Sequence, residues 1–419
     1  MLRRLFDVLG VGRWIDGRCS GIGGYFRPSL MVEAWVTLLL YGGGVLDDLP
    51  LLERRAVRRI FGWVRIPDAT TFGRWLRRAG SALVPPLDGL LREIVRWRWT
   101  HKGVPGSATL MTLLLDSTVV VRYGDKQEGA EVGYNAKKVG RPSHHPLLAF
   151  IQETGDCLGV RWRPGKAHTA AGAEDWIGDL VAWLRSQGIG DITVRLDKGF
   201  FSRSMVEALE ELEVRFVLKI PAHGWLRNHH NGPWRPSKRG EGISPKGKAW
   251  TASGELWAVR LLSLEIRRPV EPEEGSLALD TYEVADSAHI LTNIEGIHVV
   301  SGWRRYNQGA VVEQRIKELV QLSVGRTAID DLGGNALLWG LGSLAYQLLH
   351  VLRTLCLTGR WRRAQPDRLR AWFLRLPGKH SRHSRKRYLS LLADEPLRPR
   401  LLGGLRILAR GLPPPLAQA

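Results

Sequence analysis

The sequence predicts an α/β fold: a mixed sheet in the middle of the chain, with an inserted β-rich subdomain, flanked by helical N- and C-terminal regions. Two apolar runs, Thr109–Asp116 and Asp191–Asp197, each end on an aspartate. Such runs of Leu, Val and Ile are typical of buried central strands. A carboxylate at the end of a buried strand is costly unless it is paired or binds a cation. A turn aspartate is the alternative for Asp116 alone, but two such strands favour a shared metal site.

The charge balance predicts a polyanionic partner. The chain has 419 residues, with 61 Lys and Arg against 41 Asp and Glu, a net charge of +20. That excess is typical of nucleic-acid-binding proteins, although a merely basic globule is the alternative. Cys19, Cys157 and Cys356 are far apart and predict neither a disulfide framework nor a zinc site, which favours a cytoplasmic location. The N-terminus has no signal-peptide core, and polar residues within Asn335–Leu357 indicate a buried helix rather than a membrane span.

Residues 1–105 are predicted to form a helical, DNA-binding N-terminal region. Leu51–Gly62 is a basic helix candidate, and Asp68–Arg78 begins with capping residues and continues as a second one. Two short basic helices across a tight turn are the pattern of a helix-turn-helix. A solvated basic face on a small bundle is the alternative.

Residues 106–220 alternate strands and helices. After the strand that ends at Asp116, the order is a hairpin, a helix, the Asp197 strand, a second helix and a last strand, over His145–Arg163, Thr169–Gln187, Asp191–Asp197, Ser202–Leu212 and Val214–Ile220. Crossover connections make the last two strands parallel to the first. This is the strand order of the ribonuclease-H-like fold, in which the first and fourth strands are neighbours and each carries an acid.

Residues 221–295 interrupt this alternation and predict the inserted β-rich subdomain. Its strand candidates are Leu256–Leu264, Leu277–Val284 and Ile290–Thr292. His223, His229 and His230 lie in its first loop, where the absence of Cys and of a regular spacing argues against metal ligation. The core resumes at 296–330 with one predicted helix, Trp303–Leu322, which carries Glu313. Residues 331–419 form a helical basic C-terminal region that either faces DNA or is a basic surface without a specific partner.

Several motifs follow one another in an order that resembles one family. They are Leu115–Thr118, Gln127–Ala130, Gly133–Asn135, His145–Leu147, Arg163–Gly165, Leu196–Phe200 and Tyr306–Glu313. As a set they resemble bacterial insertion-sequence transposases of the DDE class, in the branch with a Tyr-Arg-Glu-Lys signature on the last helix. The resemblance covers roughly residues 105–325. It implies that Asp116, Asp197 and Glu313 are the catalytic residues and hold two Mg²⁺ ions, for which Mn²⁺ can substitute.

The resemblance also implies DNA contacts around this triad. Tyr306 matches the signature tyrosine, but the signature arginine falls on Gly309 and the signature lysine on Val320. Phosphate contacts are therefore expected from other cations nearby, namely Arg305, Arg315 and Lys317. Lys198 either contacts a phosphate or pairs with a carboxylate. Trp303 is a candidate platform for a base extruded near the cut, with a core position as the alternative.

Phosphodiester cleavage suits three carboxylates. Two Mg²⁺ ions about 3.5–4 Å apart activate the nucleophile and stabilise the leaving oxygen, and Mg²⁺ prefers carboxylate oxygens. The implied function is to bind the terminal inverted repeats of an element, cut at its ends and join the 3′-hydroxyls to target DNA. The implied partner is double-stranded DNA, bound by a homodimer or larger assembly at the nucleoid, with no membrane involved. A catalytically inactive DNA-binding relative and a ribonuclease-H-like nuclease without strand transfer are the alternatives.

Overall fold

The chain forms two compact units. The computed structural model describes residues 1–22, 24–102, 110–123, 126–133, 138–238, 247–270, 282–308, 310–322, 329–383, 386–391 and 397–409. The first unit comprises Met1–Pro105, Ser117–Ala167 and Gln314–Ala419. The second comprises Gly106–Asp116 and His168–Glu313.

The described residues contain both helices and strands throughout. The helices are α1 (Leu2–Leu9), α2 (Val11–Arg18), α3 (Pro28–Tyr41), α4 (Arg55–Phe61), α5 (Ala69–Lys102), α6 (Ala173–Ser186), α7 (Arg203–Glu211), α8 (Val299–Asn307), α9 (Ala310–Gln321), α10 (Leu332–Val351), α11 (Pro366–Leu369) and α12 (Arg398–Ala409). The strands are β1 (Met111–Ser117), β2 (Val120–Val121), β3 (Glu131–Val132), β4 (Pro142–His144), β5 (Leu147–Ile151), β6 (Cys157–Arg161), β7 (Ile192–Leu196), β8 (Arg215–Ile220), β9 (Arg235–Pro236), β10 (Lys248–Leu256), β11 (Val259–Val270), β12 (Tyr282–Thr292), β13 (Gly378–His383) and β14 (Lys386–Leu391).

The second unit is built on a mixed sheet. β1, β7 and β8 run parallel, so that Leu113 lies opposite Val194 and Val194 opposite Phe216. β8 then pairs antiparallel with β12, and β11, β10 and β9 follow outward. The predicted α/β class with a mixed sheet is confirmed, and the two strands that carry Asp116 and Asp197 are neighbours, as predicted.

Local sequence explains the helices beside this sheet. α6 buries one face made of apolar residues at helical spacing, Trp176, Ile177, Leu180, Val181 and Leu184. α7, which connects β7 to β8, begins at Ser202, whose hydroxyl oxygen accepts a hydrogen bond from the Met205 amide at 3.1 Å. That contact satisfies an amide left free at the start of a helix.

The inserted residues form long strands that extend the same sheet. β12 pairs with β8 through His289 opposite Ile220 and Leu291 opposite Leu218. The predicted strand Leu256–Leu264 is wrong in its bounds, because the chain turns at Trp257 and Ala258, between β10 and β11, with φ of 55° and 62°. Neither residue is a usual turn former, so residue type alone does not indicate this turn. Most of the predicted strand 277–284 lies outside the described residues, and β12 begins at Tyr282.

The first unit is largely helical, with α10 and α3 buried along nearly their whole lengths. The prediction of a buried helix within Asn335–Leu357 is therefore confirmed. The predicted hairpin is also confirmed: β5 and β6 pair antiparallel, with Leu148 opposite Val160. Its turn is not a solvated one, because Asp156 is fully buried and accepts hydrogen bonds from Arg98 Nε at 2.8 Å and Gln347 Nε2 at 2.7 Å.

The N-terminal helices differ from the expected pair of short basic helices. Asp68 caps α5 as predicted, since its carboxylate accepts from the Thr71 amide at 2.8 Å. However, α5 continues to Lys102, and residues 62–68 separate it from α4. α5 is long because apolar residues continue along its buried side beyond Arg78, among them Leu83, Leu87, Leu90 and Leu91. A tight turn between two short helices is not observed.

The C-terminal region is not purely helical. β13 and β14 form an antiparallel hairpin between α11 and α12. Charged residues dominate this segment. The hairpin was not predicted because only the content of Arg and aromatic residues was considered, and not the alternation of side chains along each strand.

Two expectations from composition concern thiols and membranes. Cys19, Cys157 and Cys356 are buried and carry free thiols. No single described helix is long and apolar enough to cross a membrane, although α3 and the short helix Leu46–Leu52, bent by 89°, together meet the length and composition test.

Candidate functional site

Three parallel strands of the second unit end in a row of charged side chains. Leu114 pairs with Arg195, and Arg195 with Val217. Asp197 directly follows β7, so extending this register by two residues sets Asp116 beside Asp197 and Asp197 beside Lys219. Residues two apart point to the same face, and neighbouring strands are about 4.8 Å apart. The sheet therefore presents two carboxylates and an ammonium group at adjacent positions.

This row opens into a cavity of about 280 Å³, here called the carboxylate cavity. Residues of β1, β7, β8, α8 and α9 line it: Leu114, Leu115, Asp116, Arg195, Leu196, Asp197, Lys219, Tyr306, Asn307, Val312 and Glu313. The three acids expected to form the site thus face one cavity.

Asp197 is held from two sides. Its Oδ1 accepts a hydrogen bond from the Lys198 amide at 2.6 Å and another from the Tyr306 hydroxyl at 3.0 Å. Burial, and then the charges of Asp197 and Asp116, raise the pKa of Tyr306 above its ordinary value. The phenol therefore keeps its proton and remains a donor to Asp197 at any ordinary pH.

Glu313 lies in the first turn of α9 with an exposed side chain. The predicted single helix over 303–322 is wrong: the structure has α8 ending at Asn307 and α9 beginning at Ala310. Gly309, where the signature arginine was expected, lies outside the described residues. Because the helix is broken, Tyr306 and Glu313 reach the cavity from two separate helices, which spacing along one helix could not have revealed.

Lys219 and its aromatic neighbours were not predicted as one group around the site. The Lys219 ammonium lies 5.2 Å from the centre of the Tyr306 ring and 5.8 Å from that of Trp303. These two rings stack on each other with centres 6.0 Å apart. A lone lysine near the end of the apolar strand Phe216–Ile220 was the available signal, parallel to the one that identified Asp197. Arg195 and Asn307 also line the cavity and were missed.

Trp303 belongs partly to the hydrophobic core. It packs, half-buried, against a cluster that contains Val217, Leu262 and Val300. With Tyr306 on its ring as well, the core alternative accounts for its position, and it does not line the carboxylate cavity.

The other predicted DNA contacts do not line the carboxylate cavity. Lys198 and Lys317 are exposed, and Arg305 is half-buried. Arg315 donates to both carboxylate oxygens of Glu318 at 3.2 Å. These side chains are not brought together with the triad by the described contacts.

Two histidines of the insertion, His230 and His289, lie beside the same serine. Ser263, fully buried, lies between His289 Nδ1 at 2.7 Å and His230 Nε2 at 2.8 Å. His223 stacks on Trp225, with ring centres 5.7 Å apart.

The acids of the carboxylate cavity have the donor chemistry of a divalent-cation site. Hard cations such as Mg²⁺ bind carboxylate oxygens, and adjacent register positions set two such groups next to each other. Among the described residues, no three His, Cys, Asp or Glu side chains are close enough to hold one ion together. Asp116 and Asp197 are therefore the candidate ligands for an ion, with Glu313 on the wall of the same cavity.

Comparisons with known proteins identify a family and include a similar solved structure. The family model described as "Transposase DDE domain group 1" matches residues 64–253 and 271–411. The fold is similar, with a TM-score of 0.40 and 14% sequence identity over 84% of this chain and 73% of the other, to a cryo-EM structure of piggyBac transposase in a synaptic complex with hairpin DNA. No curated protein matches the sequence.

Proposed function

This chain belongs to the family described as transposase DDE domain group 1, and from that premise we propose that it cuts DNA at the ends of a mobile element and joins the freed 3′-hydroxyls to target DNA. The observation that carries this proposal is the carboxylate cavity, where Asp116, Asp197 and Glu313 share a wall with Lys219. A site for phosphodiester transfer needs oxygen ligands for divalent cations and a cation for the phosphate. This cavity supplies both.

Each side chain has a distinct role in the proposal. Asp116, Asp197 and Glu313 would hold divalent cations, which supply an activated hydroxyl nucleophile and stabilise the leaving oxygen when bound. Lys219 donates to a non-bridging oxygen of the phosphate under attack. Tyr306 keeps one Asp197 oxygen fixed by its hydrogen bond, which leaves the other free to bind.

The partners follow from the same proposal. The substrate is double-stranded DNA, both as element end and as target, and the net charge of +20 supports it. Two ends have to be held together for joining, so we propose a dimer or larger assembly in the DNA complex. The protein would act at the nucleoid, with residues 1–105 and 331–419 as DNA-binding regions.

The test combines three variants with one assay. We expect Asp116→Asn, Asp197→Asn and Glu313→Gln each to abolish cleavage while DNA binding survives, because each keeps the side-chain shape and removes a cation-binding charge. The assay incubates protein, Mg²⁺ or Mn²⁺, a plasmid and a labelled duplex that carries the DNA flanking the coding sequence. Joined products support the proposal, whereas nicks without joining indicate a nuclease and binding alone an inactive relative.

The matched control is Glu207→Gln. Glu207 is an exposed acid on α7 that pairs with Arg203 and does not line the cavity. It should cut at the wild-type rate. A triad variant that also cuts at that rate removes its residue from the site.

A further inference from the structure

A second cavity, in the first unit, is lined by arginines. It has a volume of about 610 Å³, and its lining includes Arg315, Arg360, Arg362 and Arg363 together with Thr154 and His350. None of the described residues that line it is acidic. Four like charges around one concavity repel one another, so the arrangement favours an anion between them.

Ion pairs with described residues do not neutralise all the arginines of this cavity. Arg315 contacts Glu318, but that carboxylate also accepts from the buried Arg353 at 2.9 Å, so one acid serves two cations. Arg360, Arg362 and Arg363 are exposed and take part in none of the ion pairs formed by described residues.

Two buried polar atoms at this cavity lack a hydrogen-bond partner among the described residues: Arg315 Nε and the Thr154 hydroxyl oxygen. A buried donor without a partner is unfavourable. Both atoms are buried, so an anion in the cavity would bind the exposed guanidinium groups rather than these two atoms.

His350 does not supply the missing contacts. Its Nδ1 accepts from Arg353 Nε at 3.1 Å, and its Nε2 bonds the Thr154 carbonyl at 2.9 Å. Burial lowers the pKa of His350 well below its ordinary value, so the ring is neutral and both nitrogens are occupied. The positive charge of this cavity therefore comes from the arginines alone.

The short helix Gly359–Arg363, which carries three of these arginines, is held by contacts with neighbouring residues. Trp361 is buried between them and packs edge-on against Phe373, with ring centres 5.0 Å apart. Arg362 donates to the Thr354 carbonyl at 3.3 Å. Because these contacts hold the backbone, less conformational entropy is lost when an anion binds.

We propose that this arginine cavity binds phosphodiester groups of the DNA backbone through Arg315, Arg360, Arg362 and Arg363. Guanidinium groups bind phosphate oxygens in pairs, with a geometry that suits phosphodiesters. The choice of DNA as the source of the phosphate rests on the proposed function, whereas the anion site itself does not. Free inorganic phosphate shares the same chemistry and is the other source to test.

The experiment uses the full chain and the double variant Arg360→Gln/Arg363→Gln, which keeps the hydrogen bond from Arg362 to the Thr354 carbonyl. Both side chains are exposed, so the variant should fold. The matched control, Arg203→Gln/Arg268→Gln, removes the same charge from exposed arginines that are paired with Glu207 and Asp286. Affinity for a DNA duplex is measured over a series of salt concentrations, and thermal stabilisation by inorganic phosphate is measured at constant ionic strength.

We expect the cavity variant to bind the duplex about tenfold more weakly than the control. Its salt slope should be shallower by about 1–2, since each phosphate that is no longer neutralised lowers the slope by roughly 0.9. Equal slopes and affinities for the two variants would overturn the proposal and leave cleavage by the wild type untouched. Loss of phosphate stabilisation with unchanged DNA binding would assign the cavity to a free anion. A wild type that is stabilised by phosphate but binds no duplex would overturn the proposed function and the choice of DNA, and would leave the cavity as a site for a free anion.

Discussion

At the scale of single residues, the position of Tyr306 is explained by its contacts with Asp197 and Trp303. Its hydroxyl donates to Asp197 at 3.0 Å, and its ring stacks on Trp303. A carboxylate with one oxygen fixed this way needs less reordering when it binds a cation. Tyr306 is therefore a positioning residue for Asp197.

Tyr306→Phe isolates this role because it keeps the ring stack and removes the hydroxyl. We expect single-turnover cleavage to slow by about tenfold, the rate equivalent of one hydrogen bond to a charged group. The Mg²⁺ concentration for half-maximal cleavage should rise, and duplex affinity should stay the same. An unchanged Mg²⁺ dependence would show that the hydroxyl does not position Asp197.

His289 gives a residue-scale prediction for pH. Burial, and then the charge of His230, lower its pKa from 6.5 to about 4. The unfolded chain takes up this proton near pH 6.5 but the folded chain only near pH 4, so stability is lost as pH falls through that window. Asn at this position can still accept from Ser263 and cannot become charged.

We therefore expect His289→Asn to lose less stability than wild type between pH 6.5 and about 4, as measured by urea unfolding at a series of pH values. His168→Asn, an exposed histidine of the same unit that is not among the groups shifting the pKa of His289, is the control and should follow the wild-type curve. Identical pH dependence for wild type and His289→Asn would refute the assignment.

At the scale of elements, the local sequence pattern predicts the strands beside the carboxylate cavity. It does not predict features that depend on tertiary packing. β1 and β7 can be predicted because an apolar run that ends on a charge is a local signal. The break between α8 and α9 cannot, since a single glycine is tolerated within a helix and the apolar spacing continues through Val312 and Ile316. Lys219 was missed because the sequence of one strand does not show which residues of the neighbouring strands lie beside it.

The turn between β5 and β6 shows the same limit and can be tested. Turn residues are usually exposed, but Asp156 is buried and bonds Arg98, Trp99 and Gln347. Burial alone would raise the pKa of Asp156, and the charge of Arg98 reverses this, so the pKa lies below its ordinary value. The carboxylate is therefore charged and paired in the folded chain.

Asp156→Asn should destabilise the protein by about 3–5 kcal/mol, because it leaves the buried Arg98 without its counter-charge. Asp330→Asn is the control: its pair with Arg77 is exposed on both sides and should contribute little to stability. Urea unfolding of both variants measures the difference. Equal losses in the two would mean that burial does not set the strength of the Asp156 pair.

At the scale of the whole molecule, neither compact unit is continuous in sequence. The second unit takes Gly106–Asp116 from one part of the chain and His168–Glu313 from another. Composition and periodicity predict elements in order along the chain, but the boundaries after Asp116 and Glu313 depend on contacts between distant segments. This is why the α/β class could be predicted while the grouping of the segments could not.

The charge of the whole chain sets the last prediction. An excess of 20 positive charges implies many phosphate contacts, each of which releases counterions from DNA. We expect the logarithm of the duplex binding constant to fall linearly with the logarithm of salt concentration, by about 0.9 per phosphate neutralised. In the proposed function the chemical step takes place among groups that line one cavity, so screening should affect it less than binding. Single-turnover cleavage at saturating protein should therefore change little over the same salt range, and an affinity that barely moves with salt would count against a DNA-binding surface.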